Sequence, residues 1–325
     1  MAINRVSDRF EQECHRAASL PLVVLGHAWC FSARDEDDTA DSVVSGSLEL
    51  CTRPSAAQPG TDVRARWLDV PGEPFHYGNE LVEYKRHLAV SNWLFARLVN
   101  RVSAGLAELP AHTLLHVDVC ADSLPDVAEL ECRLQDLILV QAPTLQVRVN
   151  ATAKHFSLAY VDSWHDQLKL GDARLLVCLQ LRKAVSELMQ DGVAEAGAAL
   201  LVARPETVRN APSLHLHRPA QGEADGKSGA VDLAIRWCTA DASQVNTIWS
   251  HAMSEVLMRS AKSSSKLSRG AQWLDVATTV GNCNGVGAWL ATVLALKHAR
   301  QTGGPQLVLS ELDNELIGLA CKLST

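Results

Sequence analysis

Short, continuous apolar runs alternate with amphipathic stretches along the whole chain, and no other feature restricts the fold as much. PLVVLG from Pro21, ARLLVCLQL from Ala173, GAALLVAR from Gly197 and QLVLSEL from Gln306 read as strands buried on both faces. HTLLHVDVC, SLHLHRP, DLAIRWC, WLDVA and LIGLACKL read as further strands, and LQVRVN from Leu145 alternates at period two, as a half-buried strand does. Between them, Leu81, Tyr84, Leu88, Leu94, Leu98 and Val102 recur at helical spacing. DVAELECRLQDLILV is a second amphipathic helix, and AKHFSLAYVDSWHDQLKLG is a third that ends at Gly171. Ser243 to Met258, with Val245, Ile248, Trp249, Met253 and Leu257 on one broad face, predicts a fourth. Strands interleaved with helices predict a mixed α/β fold with helices covering sheets. The rhythm repeats, so the chain divides into two similar halves, 1–182 and 183–325, within one compact unit.

With 325 residues the chain can bury a large core. Its formal net charge of −7 gives no electrostatic reason to expect nucleic acid as a partner. No apolar run approaches the roughly 20 residues of a membrane span. The first residues, MAINRVSDRFEQECHRAASL, lack the order of a signal peptide, and the nine scattered cysteines contain no CxxC. Free thiols in a reducing cytoplasm are the expectation, with no metal bound. His215 and His217 alternate on one strand, but no third ligand stands near them in sequence. There is no GxGxxG and no P-loop lysine, so no cofactor is expected.

The turn VGNCNGVG, from Val280, opens directly into the apolar helix that begins at Gly285. Cys283 sits just before that helix. Gly285 and Gly287 predict close approach of the helix to a neighbouring element.

Four stretches in order resemble the thiolase-fold superfamily, in particular the β-ketoacyl-ACP synthases. They are LPLVVLGHAWCFSARDEDDTADSVVSGSLELCTRP, RVNATAKHFSLAYVDSWHDQLKLGDARLLVCLQL, VAEAGAALLVARPETV and TTVGNCNGVGAWLATVLALKHA. The resemblance implies a five-layer αβαβα architecture. It also implies a reactive cysteine at a helix N-terminus and two polar donors on the thioester oxygen. Carried over position by position, the nucleophile falls on Lys154. The first histidine falls on Trp237 or Cys238 in IRWCTAD, and the second falls on Asn282. The glycine-rich closing loop matches SELDNELIG, whose glycines are gone. A lysine cannot replace a thiolate in thioester exchange, so no catalytic triad is expected.

The resemblance therefore implies a pseudoenzyme akin to a chain length factor. Such a protein partners an active ketosynthase in polyketide, aryl-polyene or fatty-acid-type biosynthesis, and meets an acyl carrier protein. Its heterodimer interface would run along Leu145, Gln146, Val147, Arg148 and Val149, because the family dimerises through the strand before the nucleophile helix. A different expectation is an active acyltransferase or thioesterase-like enzyme using a relocated thiol, Cys283 or Cys238. A third is a scaffold that has lost contact with acyl chains.

Overall fold

The computed structural model describes residues 2–152, 155–207, 213–222, 229–264 and 266–324. After helix α1 (Ala2–Ala18), strand β1 (Leu22–Cys30) leads to α2 (Ala40–Val44), whose first turn is capped by the Thr39 hydroxyl. A small hairpin, β2 (Thr52–Pro54) and β3 (Asp62–Arg64), precedes the long helix α3 (Glu80–Glu108). Then come β4 (Leu114–Asp122), α4 (Val127–Gln141), β5 (Gln146–Thr152), α5 (Tyr160–Gln167), β6 (Ala173–Gln180) and β7 (Ala196–Ala203). The second half holds β8 (Leu214–Leu216), β9 (Ala220–Gly222), α6 (Ala230–Trp237), β10 (Thr247–Ser250) and α7 (Glu255–Ser264). It closes with β11 (Gln272–Asp275), α8 (Val276–Thr279), α9 (Gly287–Thr302), β12 (Gln306–Leu312) and β13 (Glu315–Leu323).

Strand order shows the duplication that sequence identity hides. In the first half the spatial order is β5-β4-β6-β7-β1, and in the second it is β11-β10-β12-β13-β8. Counted within each half, both read third, second, fourth, fifth, first. In both, the second strand runs parallel to the third and the fourth, while the fifth is antiparallel to its neighbours. The two first strands, β1 and β8, pair antiparallel through Leu22–Leu216, Val23–His215 and Val24–Leu214, which joins the halves. The division therefore falls after β7. The expected boundary at 182/183 would strip β7 from the strands β1 and β6 that it pairs with.

Helix α9 packs on β7 and β1 of one half and on β12, β13 and β10 of the other, which makes it a middle-layer helix. Its residues Leu290, Ala291, Val293, Leu294, Ala295 and Leu296 are all fully buried. A helix apolar on every side belongs between two sheets. α3 and α4 cover the outer face of the first half, and α6 covers that of the second. The result is the five-layer αβαβα arrangement.

Two elements change type relative to the sequence expectation. DLAIRWC is helical, because Val231, Ala234 and Ile235 fall at one-face spacing and all three are buried. Residues 247–250, expected within a helix, form the strand β10, buried at every position between β11 and β12. Short apolar runs fit either element, and the sheet neighbours decide between them.

Candidate functional site

A cleft of about 590 Å³ opens where the C-terminal ends of the parallel strands meet the start of α9. His155, Phe156, Asn282, Gly285, His251 and Glu311 are among its lining residues. Three connections and the end of β12 supply them: the segment after β5, the residue after β10, the turn between α8 and α9, and β12 through Glu311. Such strand ends are where ligands of α/β folds gather.

The turn before α9 is pinned by backbone bonds to the segment that enters β7. Asn282 N–H donates to the Gly192 carbonyl at 2.7 Å, and Ala194 N–H donates to the Asn282 carbonyl at 2.9 Å. Asn282 thus lines the cleft from a fixed backbone. Its Oδ1 accepts the Asn284 N–H at 2.9 Å. Gly285 and Gly287 serve imidazoles rather than helix packing. A Cβ on Gly285 would overlap the His155 ring, and one on Gly287 would overlap the His251 ring.

His251 follows β10 directly and is buried, and burial holds its pKa below the usual histidine value. Its Nε2 accepts the backbone N–H of Cys283 at 3.0 Å. That bond places the ring proton on Nδ1. Two histidines, His251 and His155, line this cleft, and neither Trp237 nor Cys238 is among its lining residues. Trp237 closes α6 and donates its indole N–H to His15 Nδ1 on α1 at 3.0 Å, and Cys238 lies in the core beneath α6. The signal was present as TIWSHA, a short buried strand followed by a histidine, but the apolar face drawn from Ser243 to Met258 absorbed it.

Lys154 lies outside the described residues. The segment after it is not the expected helix: α5 begins only at Tyr160. The Phe156 carbonyl accepts the Trp289 indole N–H at 2.7 Å, and the Phe156 ring stacks on Tyr160 with centroids 4.3 Å apart. The first contact ties Phe156 to α9, and the second ties it to α5.

The two thiols expected as relocated nucleophiles are poor candidates. Cys283 is fully buried, and burial pushes its pKa up to about 12. Burial likewise raises Cys238 to about 11. The closing segment meets the cleft through Ser310, Glu311 and Leu312, and Glu311 accepts the Ser254 N–H at 2.8 Å. Asp313 and Asn314, both at positive φ, form the two-residue hairpin turn that joins β12 to β13.

Beside the cleft lies a buried ionic cluster that sequence reading missed. Arg86 on α3 donates to Glu83 at 2.7 Å and to Glu195, and all three side chains are fully buried. Glu195 also accepts the backbone N–H groups of Leu68 and Arg182, at 2.8 and 2.7 Å. Glu83 accepts those of Val185 and Ser186, both at 2.8 Å. Burial opposes ionisation of Glu83, but hydrogen bonds from His87 and Arg86 outweigh it and hold the carboxyl well below its usual range. The cluster fixes the connection between β6 and β7, to which the Asn282 turn is pinned.

Among solved structures, the fold is that of the thiolase-like ketosynthases. The ishigamide ketosynthase/chain length factor matches with a TM-score of 0.61 at 13% identity, over 94% of this chain and 100% of that one. The priming β-ketosynthase of a polyketide biosynthetic pathway matches with a TM-score of 0.53 at 12% identity, over 93% of this chain and 96% of that one. The cerulenin-bound OleA of Xanthomonas campestri matches with a TM-score of 0.53 at 9% identity, over 94% and 99%. No protein-family profile matches the sequence, and no curated protein does. Among the described residues, no helix is long and apolar enough to cross a membrane.

Proposed function

We propose that this chain is a ketosynthase-like protein without ketosynthase chemistry of its own. It stands beside an active β-ketoacyl-ACP synthase, as a chain length factor does, in polyketide, aryl-polyene or fatty-acid-type biosynthesis. The observation that carries the reading is Lys154, which is no thiol at the position where the resemblance puts the nucleophile. Decarboxylative condensation needs two preorganised donors on the thioester oxygen. Here the His251 Nδ1–H and the Asn282 amide are the candidates for that pair, so the donors alone do not decide the reading. Residues 155–157 precede α5, which begins at Tyr160, so no helix N-terminus stands among them to stabilise an anion.

The partner surface in this reading is β5. It is an edge strand of the sheet, with Gln146 and Arg148 exposed and Val147 and Val149 half-buried. Leu145, just before it, is buried. An unpaired edge of this kind adds a strand from another chain readily. The ishigamide structure, a ketosynthase/chain length factor, supports a partnered role of the same kind here.

The test is co-expression with a ketosynthase and an acyl carrier protein encoded beside the gene, followed by size-exclusion chromatography. A stable heterodimer, weakened by Val147→Glu, is the expected result. A chain that elutes alone and binds neither protein would sink the reading and favour a scaffold.

A further inference from the structure

The absence of a thiol at Lys154 does not leave the cleft without one nearby. Cys120, near the C-terminal end of β4, lies behind His155, with Sγ 3.6 Å from Nδ1. His155 lines the cleft, and its side chain is 37% exposed. On the other side of the ring, Nε2 lies 3.9 Å from Asp122 Oδ2, and the Gln180 amide anchors that carboxylate at 2.7 Å. Cys178, level with Cys120 on the neighbouring strand β6, hydrogen-bonds to the Cys120 sulfur. Thiol, imidazole and carboxylate thus stand in the order of nucleophile, base and orienting group.

We propose that Cys120 and His155 form a thiolate–imidazolium pair that takes an acyl group from a thioester delivered to this cleft. The inference concerns the cleft's own chemistry and stands whether or not the chain pairs with a ketosynthase. Sγ is buried against the His155 ring, so access from the cleft requires that ring to swing aside about its Cα–Cβ bond. Sγ attacks the thioester carbonyl carbon, a new sulfur–carbon bond forms, and the bond to the carrier sulfur breaks. The departing thiolate takes the proton from His155. The products are acyl-Cys120, neutral His155 and the free carrier thiol.

The electrostatics agree with the geometry. Hydrogen bonding from Cys178, reinforced by His155, holds the Cys120 thiol well below the ordinary range against the opposing effect of burial. The bond to Cys120 raises His155 in turn. Asp122 adds to that rise, Arg182 opposes it, and Asp118 acts on Cys178. Cys30, Cys178, Cys238, Cys283 and Cys321 are all pushed the other way by burial.

The test exposes the whole protein to the butyryl thioester of N-acetylcysteamine at pH 6 and pH 8, with peptide mass mapping. One butyryl group on Cys120 is expected, at rates within about threefold at the two pH values. A small-molecule thiol of pKa near 8.5, run as a reference, should instead speed up by about a hundredfold. His155→Gln should slow the Cys120 reaction at pH 6 by at least about tenfold. Iodoacetamide labelling of the same variant at pH 6 should fall in parallel. Surface thiols that acylate while Cys120 does not would overturn the proposal, as would a Cys120 rate that ignores His155→Gln.

Discussion

Trp164 on α5 and Trp289 on α9 stack with ring centroids 5.7 Å apart and an interplanar angle of 21°. The two helices follow the third strand of their respective halves, so the stack joins equivalent elements across the middle layer. Trp289 also holds the segment after β5 through the Phe156 carbonyl. Trp289→Ala should cost about 3–5 kcal/mol in urea unfolding, as a large buried ring does. Trp289→Phe keeps a ring and loses only the hydrogen bond, for about 1–2 kcal/mol. A Trp289→Phe variant as stable as the parent would show that the bond to Phe156 contributes nothing.

Gly285 leaves the space that the His155 ring fills. Gly285→Ala should destabilise the protein by about 1–3 kcal/mol through overpacking. Adding His155→Ala should recover most of that loss, because the ring is then gone. A double-mutant cycle reads the coupling directly, and strict additivity would contradict the contact.

Removing one member of the Glu83–Arg86–Glu195 cluster leaves a buried charge without its partner. Arg86→Met should cost about 3–5 kcal/mol. Replacing all three residues by apolar ones of similar size should cost less than the single change. Denaturant midpoints for the single and triple variants decide the ordering.

His217 and His165 are buried, and burial depresses their pKa values to about 3 and about 4. An unfolded histidine titrates near about 6.5. Below that pH the unfolded chain binds protons that the folded chain refuses, so stability falls as pH drops from 6.5 towards 4. Each histidine contributes at most about 1.4 kcal/mol per pH unit. His155, raised by Cys120, works in the opposite sense. Comparison of His217→Gln with the parent therefore isolates one histidine, and the variant should lose less stability between pH 7 and pH 5. Parallel pH curves would refute the assignment.

Much of this protein was legible without coordinates. LQVRVN alternates because one face of β5 is open, and ARLLVCLQL is continuous because β6 is covered on both faces. Those patterns are local, and so are the long helices α3 and α9 and the absence of a cysteine at Lys154. The order of four weak segments was enough to place the fold among the thiolase-like proteins. What the sequence could not decide depends on neighbours far along the chain. TIWS is a strand because β11 and β12 flank it, and that placement puts His251 in the cleft. DLAIRWC is a helix whose buried face packs on β13 and β9, which takes Trp237 and Cys238 away from the cleft. Cys120 and His155 are 35 residues apart in sequence, and only the parallel pairing of β4 with β5 brings them together. Periodicity reports which face of an element is buried. It carries no information about which two buried faces meet, and the chemistry of this cleft is decided by that meeting.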